Sequence, residues 1–162
     1  MKAIEQIRQL AIIKMRRKHI NYPESLTLPI KSYSDKTANG LTRCIIDFLK
    51  LSGWQAERVN TMGRPIDHRQ IVTNVISQQH QIGSIEWIRS GVTPGSADIS
   101  ATIKGRSVKI EVKCMATGDN YQSAGQKLYQ QHIEAAGGLY YIAKDFQSFY
   151  EWYVQSFEEG GK

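Results

Sequence analysis

Apolar and polar positions repeat along this chain with two periods. In residues 2–18 apolar side chains recur every three or four positions, at Ile4, Ile7, Leu10 and Ala11, with Lys14 and Met15 extending the face, which predicts a helix. Residues 21–36 contain Pro23 and Pro29 and few helical repeats. They predict an extended connector, and with it a first helix that is an N-terminal arm outside the core. A second helix is expected from near Thr37, capped by Ser34, Asp35 or Thr37, with Leu41, Ile45, Phe48 and Leu49 as its apolar stripe and Gly53 at its end. Residues 54–59 predict a short strand with Trp54, Ala56 and Arg58 on one side, and residues 60–63 a turn.

Residues 64–83 are polar and carry no single period; Ile71-Val72 and Val75-Ile76 fit strand pieces around a bend or one helical turn. Residues 84–88 predict a strand. Gly91, Pro94 and Gly95 form a loop, and residues 97–103 and 107–114 form a β-hairpin turned at Lys104-Gly105-Arg106. After a loop at Gly118-Asp119-Asn120, Ala124, Leu128, Gln131 and Ala135 lie at helical spacing within residues 121–136, and Gly137-Gly138 stops the helix. Residues 139–143 are wholly apolar, the pattern of a central strand covered on both faces. Asp145 caps a last helix that ends before Gly160. Its Phe146, Phe149, Tyr150, Trp152 and Tyr153 have the spacing of core packing or a partner surface rather than of base stacking. Antiparallel strands first, then a helical crossover to an apolar strand, predict an α/β fold: a mixed central β-sheet flanked by helices. The expected organisation is a basic helix and connector at 1–36, the folded domain at 37–157 and a tail at 158–162.

Composition narrows the class. The chain has 162 residues, 41% hydrophobic and 22% charged, which predicts one ordinary globular domain and excludes collagen-like, disordered and disulfide-scaffold classes. No apolar run approaches the roughly 20 residues of a membrane span, and the N-terminus has no secretory pattern. Cys44 and Cys114 stand in unrelated contexts, which predicts reduced thiols in a cytoplasmic setting. The four histidines have no zinc-ligand spacing, and the Gly137-Gly138 turn lacks the Lys-Ser/Thr of a phosphate-cradling loop, so no nucleotide cofactor is expected. The net charge of +6 is uneven: residues 1–60 are net +6 and residues 61–113 net +3, so the excess sits in the first two-thirds, while residues 114–162 are net −3. Lys14, Arg16, Arg17 and Lys18 are the densest cluster. Such an excess suits a polyanion, nucleic acid first, or a solvated basic helix.

The predicted hairpin carries the sharpest chemical signal. Glu111 and Lys113 are two apart on one strand and share a face; Ile110 and Val112 take the other. Asp98 opens the partner strand behind Pro94-Gly95, and the turn brings it near Glu111. Two carboxylates at cross-strand distance repel unless a cation lies between them, and hard oxygen donors with room for water suit Mg²⁺. A lysine on that face can hold or polarise a water. The plain alternative is an exposed cross-strand cluster in which Lys113 bridges two acids.

Pro94-Gly95-x-x-Asp98, then Glu111-x-Lys113, then a helix with Gln126, resembles the PD-(D/E)XK nucleases, and most the VRR-NUC group, with Holliday-junction resolvases more distant. Arg58-Val59-Asn60-Thr61-x-Gly63 and Ala135-Ala136-Gly137-Gly138 are similar to that group too, so the likeness runs from about Thr37 to Tyr153. It implies a restriction-endonuclease-like αβββαβ core and a DNA phosphodiesterase dependent on Mg²⁺ or Mn²⁺. Asp98 and Glu111 would be ligands, with the Val112 carbonyl as a third. Lys113 would orient the attacking water, and Gln126 would support the site. Arg58, Asn60, Lys14, Arg16, Arg17 and Lys18 would contact DNA, and a homodimer would suit cutting of two strands. The family usually carries a further acid early in the helix before the first strand. Here residues 37–43 hold none; Asn39 offers a neutral oxygen, and Glu57 or Asp47 are alternatives. The rival expectation is a nuclease-fold module that binds DNA or a protein partner without cleavage.

Overall fold

The computed structural model of the chain describes residues 2–60, 63–88, 91, 93–118 and 120–159. In chain order the elements are α1 (Ala3–Lys18), α2 (Ala38–Leu51), β1 (Gln55–Arg58), β2 (Arg64–Asp67), β3 (Gln70–Thr73), β4 (Gln79–Ile82), β5 (Ile85–Ile88), β6 (Ile99–Ile103), β7 (Arg106–Val112), α3 (Ala124–Ala135), β8 (Leu139–Ala143) and α4 (Phe146–Tyr153). A short 3₁₀ turn, Met115–Thr117, follows β7, and a π-helical stretch, Val154–Glu159, continues α4. The chain divides into two compact units, Met1–Val59 with Pro94–Lys162, and Asn60–Thr93.

The larger unit is a mixed α/β fold. Its four-stranded sheet has the order β1-β6-β7-β8. β1, β6 and β7 pair antiparallel, and β8 returns through α3 to lie parallel to β7. Local chemistry starts and stops the elements. The Thr37 side chain accepts a hydrogen bond from the Gly40 N–H at 3.0 Å, which makes it the N-cap of α2. Asp145 caps α4 by accepting from the Ser148 N–H at 2.8 Å. Lys104 and Gly105 both have positive φ, 48° and 77°, so the β6–β7 turn is a two-residue loop of the kind that matches strand twist. It is one residue shorter than the sequence predicts, and Arg106 becomes a strand residue paired with Ile103.

The core lies between one face of the sheet and helices α1, α2 and α4. The α2 stripe is buried as its period predicts: Leu41, Ile45 and Leu49 are at 0% exposure and Phe48 at 3%. Phe48 sits edge-on to Phe146, Phe149, Tyr150 and Tyr153, so the aromatic period of α4 is core packing. Trp54, before β1, donates its indole N–H to the Tyr153 hydroxyl at 2.7 Å.

Three expectations are corrected. α1 is not an arm outside the core: Ala3, Ile7 and Ala11 join the buried cluster, because the apolar face predicted for the helix packs on α2 and α4. β8 is apolar, yet it is an edge strand of the sheet and not a central one. Its side chains are covered from the two faces, by Tyr129 of α3 against Tyr140 and by Phe149 and Trp152 of α4 against Tyr141. α3 does not bury Ala124, Leu128, Gln131 and Ala135, all of which are exposed; its half-buried side is Gln126, Tyr129, Gln130 and Ile133. The surface it meets carries a carboxylate and a phenol, so the helix presents amide and aromatic groups to it.

The smaller unit is a two-stranded ribbon. β2 pairs with β5 and β3 with β4, and both ladders keep one register, joined by the His68 N–H donating to the Ser84 carbonyl at 3.1 Å. The 84–88 strand therefore belongs to the ribbon. Ile71-Val72 is strand, whereas Val75-Ile76 lies in the end loop. The Asn74 side chain builds that loop, accepting from the Ile76 and Gln78 N–H groups at 3.2 and 2.9 Å. Thr61 and Met62, in the turn expected at 60–63, lie outside the described residues, as does Asp119 in the later loop. No helix of the described residues is long and apolar enough to cross a membrane.

Candidate active site

Three elements of the larger unit bring the predicted chemistry together. The β6–β7 ladder pairs Ile99 with Ile110, so its next position sets Asp98 opposite Glu111. The shorter turn produces this: it moves the hairpin centre half a residue from Gly105, and the expected nearness of Asp98 to Glu111 becomes direct opposition. Two backbone contacts hold Asp98. Its Oδ2 accepts the Val112 N–H at 2.9 Å, and its carbonyl accepts the Val59 N–H at 2.8 Å.

Strand alternation places Ile110 and Val112 in the apolar core, at 0% and 5% exposure, and turns Glu111 and Lys113 to the other face, which α3 covers. Glu111 is only 2% exposed and Lys113 only 7%, so the exposed-cluster alternative does not describe this site. The Lys113 ammonium lies 3.5 Å from Glu111 Oε1. The Gln126 amide donates to that same oxygen. Gln126 does two things at once. Its own Oε1 accepts the Ser123 N–H at 2.8 Å, and Ser123 Oγ accepts the Gln126 N–H at 3.3 Å, a reciprocal capping box that starts α3. The cap thus fixes the amide that orients Glu111.

The Pro94-Gly95 loop has a steric reason. Gly95 has φ +81°, and a Cβ there would meet the Gly125 carbonyl carbon and oxygen at 2.4 Å. The loop before Asp98 lies directly on the first turn of α3, and only glycine fits. Gly125 and the Ser123 cap were not singled out from sequence. The signal was present, a serine three residues before a glutamine at a helix start. Tyr140 is a second residue that sequence reasoning missed. It is paired with Lys109 across β7 and β8, on the face of Glu111. Burial, and then the charge of Glu111, push its phenol well above the usual tyrosine range. Nothing in an apolar strand pattern marks one tyrosine of two as the one facing a carboxylate. On the same face, Lys109 Nζ donates to Ser100 Oγ at 2.6 Å.

The remaining candidates scatter. Arg58 donates to Asn39 Oδ1 at 3.1 Å, so the neutral oxygen at the head of α2 is engaged by a cation. Glu57 pairs with Ser100, which puts it on the face of Asp98 and Glu111 by alternation, opposite Arg58. Asp47 lies far along α2, ion-paired to Lys31 at 2.9 Å and accepting the Tyr33 hydroxyl at 3.4 Å. Asn60 is exposed. In α1, the Arg16 guanidinium donates to the carbonyls of Tyr22, Pro23 and Glu24 at 3.3–3.4 Å and so ties down the connector. Lys14, Arg17 and Lys18 are exposed. Among the described residues no group of three or more His, Cys, Asp or Glu side chains is placed to hold a metal ion.

Comparison with protein-family models, with curated proteins and with solved structures found no match to this chain.

Proposed function

We propose that this chain is a DNA phosphodiesterase of the PD-(D/E)XK kind, with Asp98, Glu111, Lys113 and Gln126 as its working residues. The observation that carries the reading is the enclosure of Glu111 and Lys113 at 2% and 7% exposure on a strand whose register sets Asp98 opposite. Burying an acid and a lysine on a small sheet costs stability that an apolar pair would not, and this cost supports a functional reading of the pair. The order α2, β1, β6, β7, α3, β8 agrees with the αβββαβ core that the motif implies.

The donor set suits Mg²⁺ or Mn²⁺ and not zinc. Two carboxylates and a main-chain carbonyl are hard oxygens, and Mg²⁺ is commonly held by one or two carboxylates, with water and substrate phosphate completing its shell. Asp98, Glu111 and the Val112 carbonyl would hold it, and bound there it would supply charge stabilisation to the phosphate. The chain's own residues supply positioning. The Val112 N–H fixes Asp98. Gln126 and Lys113 both reach Glu111 Oε1 and hold that carboxylate in one rotamer. Lys113, buried and already oriented, donates an N–H to the attacking water and aims its lone pair at phosphorus. The water oxygen forms the new P–O bond while the bond to the 3′ oxygen breaks in line; the water's proton passes to solvent, and the 3′ oxygen takes one up.

A second reading, binding without cleavage, is favoured by a specific contact: where the family places an acid, Asn39 is engaged by Arg58. One experiment separates the two. Supercoiled plasmid is incubated with parent, Asp98→Asn and Lys113→Met proteins over a Mg²⁺ and Mn²⁺ titration, beside gel-shift binding. Nicking by the parent alone supports the nuclease. Binding by all three with no nicking supports the module. Nicking by Asp98→Asn overturns the site.

A further inference from the structure

We infer that a groove on the larger unit, remote from the candidate active site, is a docking surface for an acidic, amphipathic segment of a partner protein. The groove lies among the C-terminal half of α1, the connector and the C-terminal half of α2, with a volume of about 400 Å³. Lys14, Lys18, Lys31 and Lys50 rim it. Met15, Ile30 and Leu51, half-buried, line its floor.

The charge is one-sided. Among the described residues Asp47 is the only acid lining the groove, and Lys31 already neutralises it at 2.9 Å. Lys14, Lys18 and Lys50 make no ion pair among the described residues. Part of the basic excess has a local reason, since cations in the last turn of α1 offset the negative end of its dipole. That reason covers Lys18. The same reason covers Lys50 in the last turn of α2. It does not cover Lys14, which lies before the last turn of α1, or Lys31, which reaches the groove from the connector.

The occupant follows from two surfaces at once. The rim calls for carboxylates or phosphates. The floor calls for apolar side chains, because an uncovered concave apolar surface gains nothing from a purely ionic partner. A nucleic-acid backbone would satisfy the rim and leave the floor unfilled. An acidic segment with apolar residues every three or four positions satisfies both, in the manner of a helix laid into a groove. Position argues the same way. Asn39 is at the head of the 14-residue α2 and Lys50 near its end, about 1.5 Å of rise per residue apart. The groove therefore sits at the end of α2 away from the catalytic hairpin.

The test uses the full chain and needs no cleavage assay. A pool of fluorescent 15-residue peptides carries Asp or Glu at polar positions and Leu, Phe or Trp at i, i+3, i+4 and i+7. A second pool has Ser at those apolar positions, and a third probe is a labelled DNA duplex. Binding is read by anisotropy, and its place by methyl NMR of Met15, Ile30 and Leu51. The expected result is binding by the first pool, shifts confined to those methyls, and at least a tenfold loss in Lys14→Glu/Lys50→Glu, whose exposed positions leave the protein folded with a cooperative melt. Lys31→Glu, which also frees Asp47, should weaken binding further. Equal binding by the Ser pool, or an unchanged affinity in the charge-reversed protein, overturns the inference. Duplex DNA that shifts the same methyls and displaces the peptides overturns it in favour of a nucleic-acid surface.

Discussion

The β6–β7 hairpin and the β2–β5 ribbon are built from the same element, two antiparallel strands, and have opposite environments. On β7, Val108 and Ile110 are at 0% exposure and Val112 at 5%. On the ribbon, Ile71 is 67% exposed, Ile82 60% and Trp87 61%. None of the ribbon's described residues is buried. The first hairpin is a strand pair because a core covers it. The second is held by its ladder, by the Asn74 loop and by local pairs such as Asp67 with Arg69 at 2.7 Å. An isolated two-stranded ribbon has marginal stability. Its strands are therefore the part of this molecule that answers to local chemistry, and the core hairpin the part that answers to packing.

Substitution should separate the two most strongly in the core. Phe149→Ala removes a ring that meets Phe48, Tyr141, Phe146 and Trp152. It should cost about 3–5 kcal/mol in denaturant melts, and Ile7→Ala in α1 about 2–4 kcal/mol. An α1 that lay outside the core would lose almost nothing, so Ile7 is the sharper of the pair. Ile71→Ala in the ribbon should change the melt by less than about 0.5 kcal/mol.

The site face comes next. Glu111→Gln keeps the shape but leaves Lys113 buried beside a neutral amide, an expected loss of about 3 kcal/mol. Lys113→Met added to it should restore a large part of that loss, because the pair is then replaced by groups with no charge to desolvate. A double variant as unstable as Glu111→Gln alone would mean that the amide, not the Lys113 charge, carries the cost. Asp98→Asn should melt near the parent, since an amide oxygen still accepts the Val112 N–H.

Excision tests the division itself. The insertion leaves the larger unit at Val59 and re-enters before Asp98, and those two residues are hydrogen-bonded at 2.8 Å. A short Gly/Ser linker in place of residues 61–92 closes a small gap, so the remaining unit should melt within a few degrees of the parent, about 1 kcal/mol. Loss of the cooperative transition would show that the ribbon is required for folding.

The smallest effect is in pH. Hydrogen bonds from Arg69 hold the exposed Asp67 carboxyl down at about 2, below its ordinary 3.8. A depressed carboxyl stabilises the fold above its unfolded value and loses that contribution as pH falls through the folded one. The ribbon contact should therefore be intact at pH 5 and dissolve between about pH 4 and 2. Carboxyl NMR of Asp67 reads this directly, and Arg69→Gln should move its midpoint up toward 3.8 without altering signals of the core hairpin.

Much of the fold was legible because short-range rules wrote it. The period of Leu41, Ile45, Phe48 and Leu49, the Asp145 cap and the existence of a turn around Gly105 need only neighbours in sequence. So does the alternation that turns Glu111 and Lys113 to one face and Ile110 and Val112 to the other. The choice of Thr37 among three cap candidates and the two-residue length of the Gly105 turn came from the structure. Other features depended on what arrives from elsewhere in the chain. Whether the apolar face of α1 meets a core, whether the apolar β8 is central or at an edge, and which side of α3 is covered are set by the surface each element meets. Glu111 decided the last of these: a buried carboxylate needs donors, so α3 turns Gln126 toward it and leaves Leu128 in water. The sequence by itself singled out Asp98, Glu111, Lys113 and Gln126 as candidates and turned Glu111 and Lys113 to one face of the hairpin. The tertiary structure alone decided that Glu111 and Lys113 are enclosed, that Gln126 and Tyr140 join them and that Asn39 is engaged by Arg58, because burial and charge pairing are properties of surfaces brought together and not of any one segment.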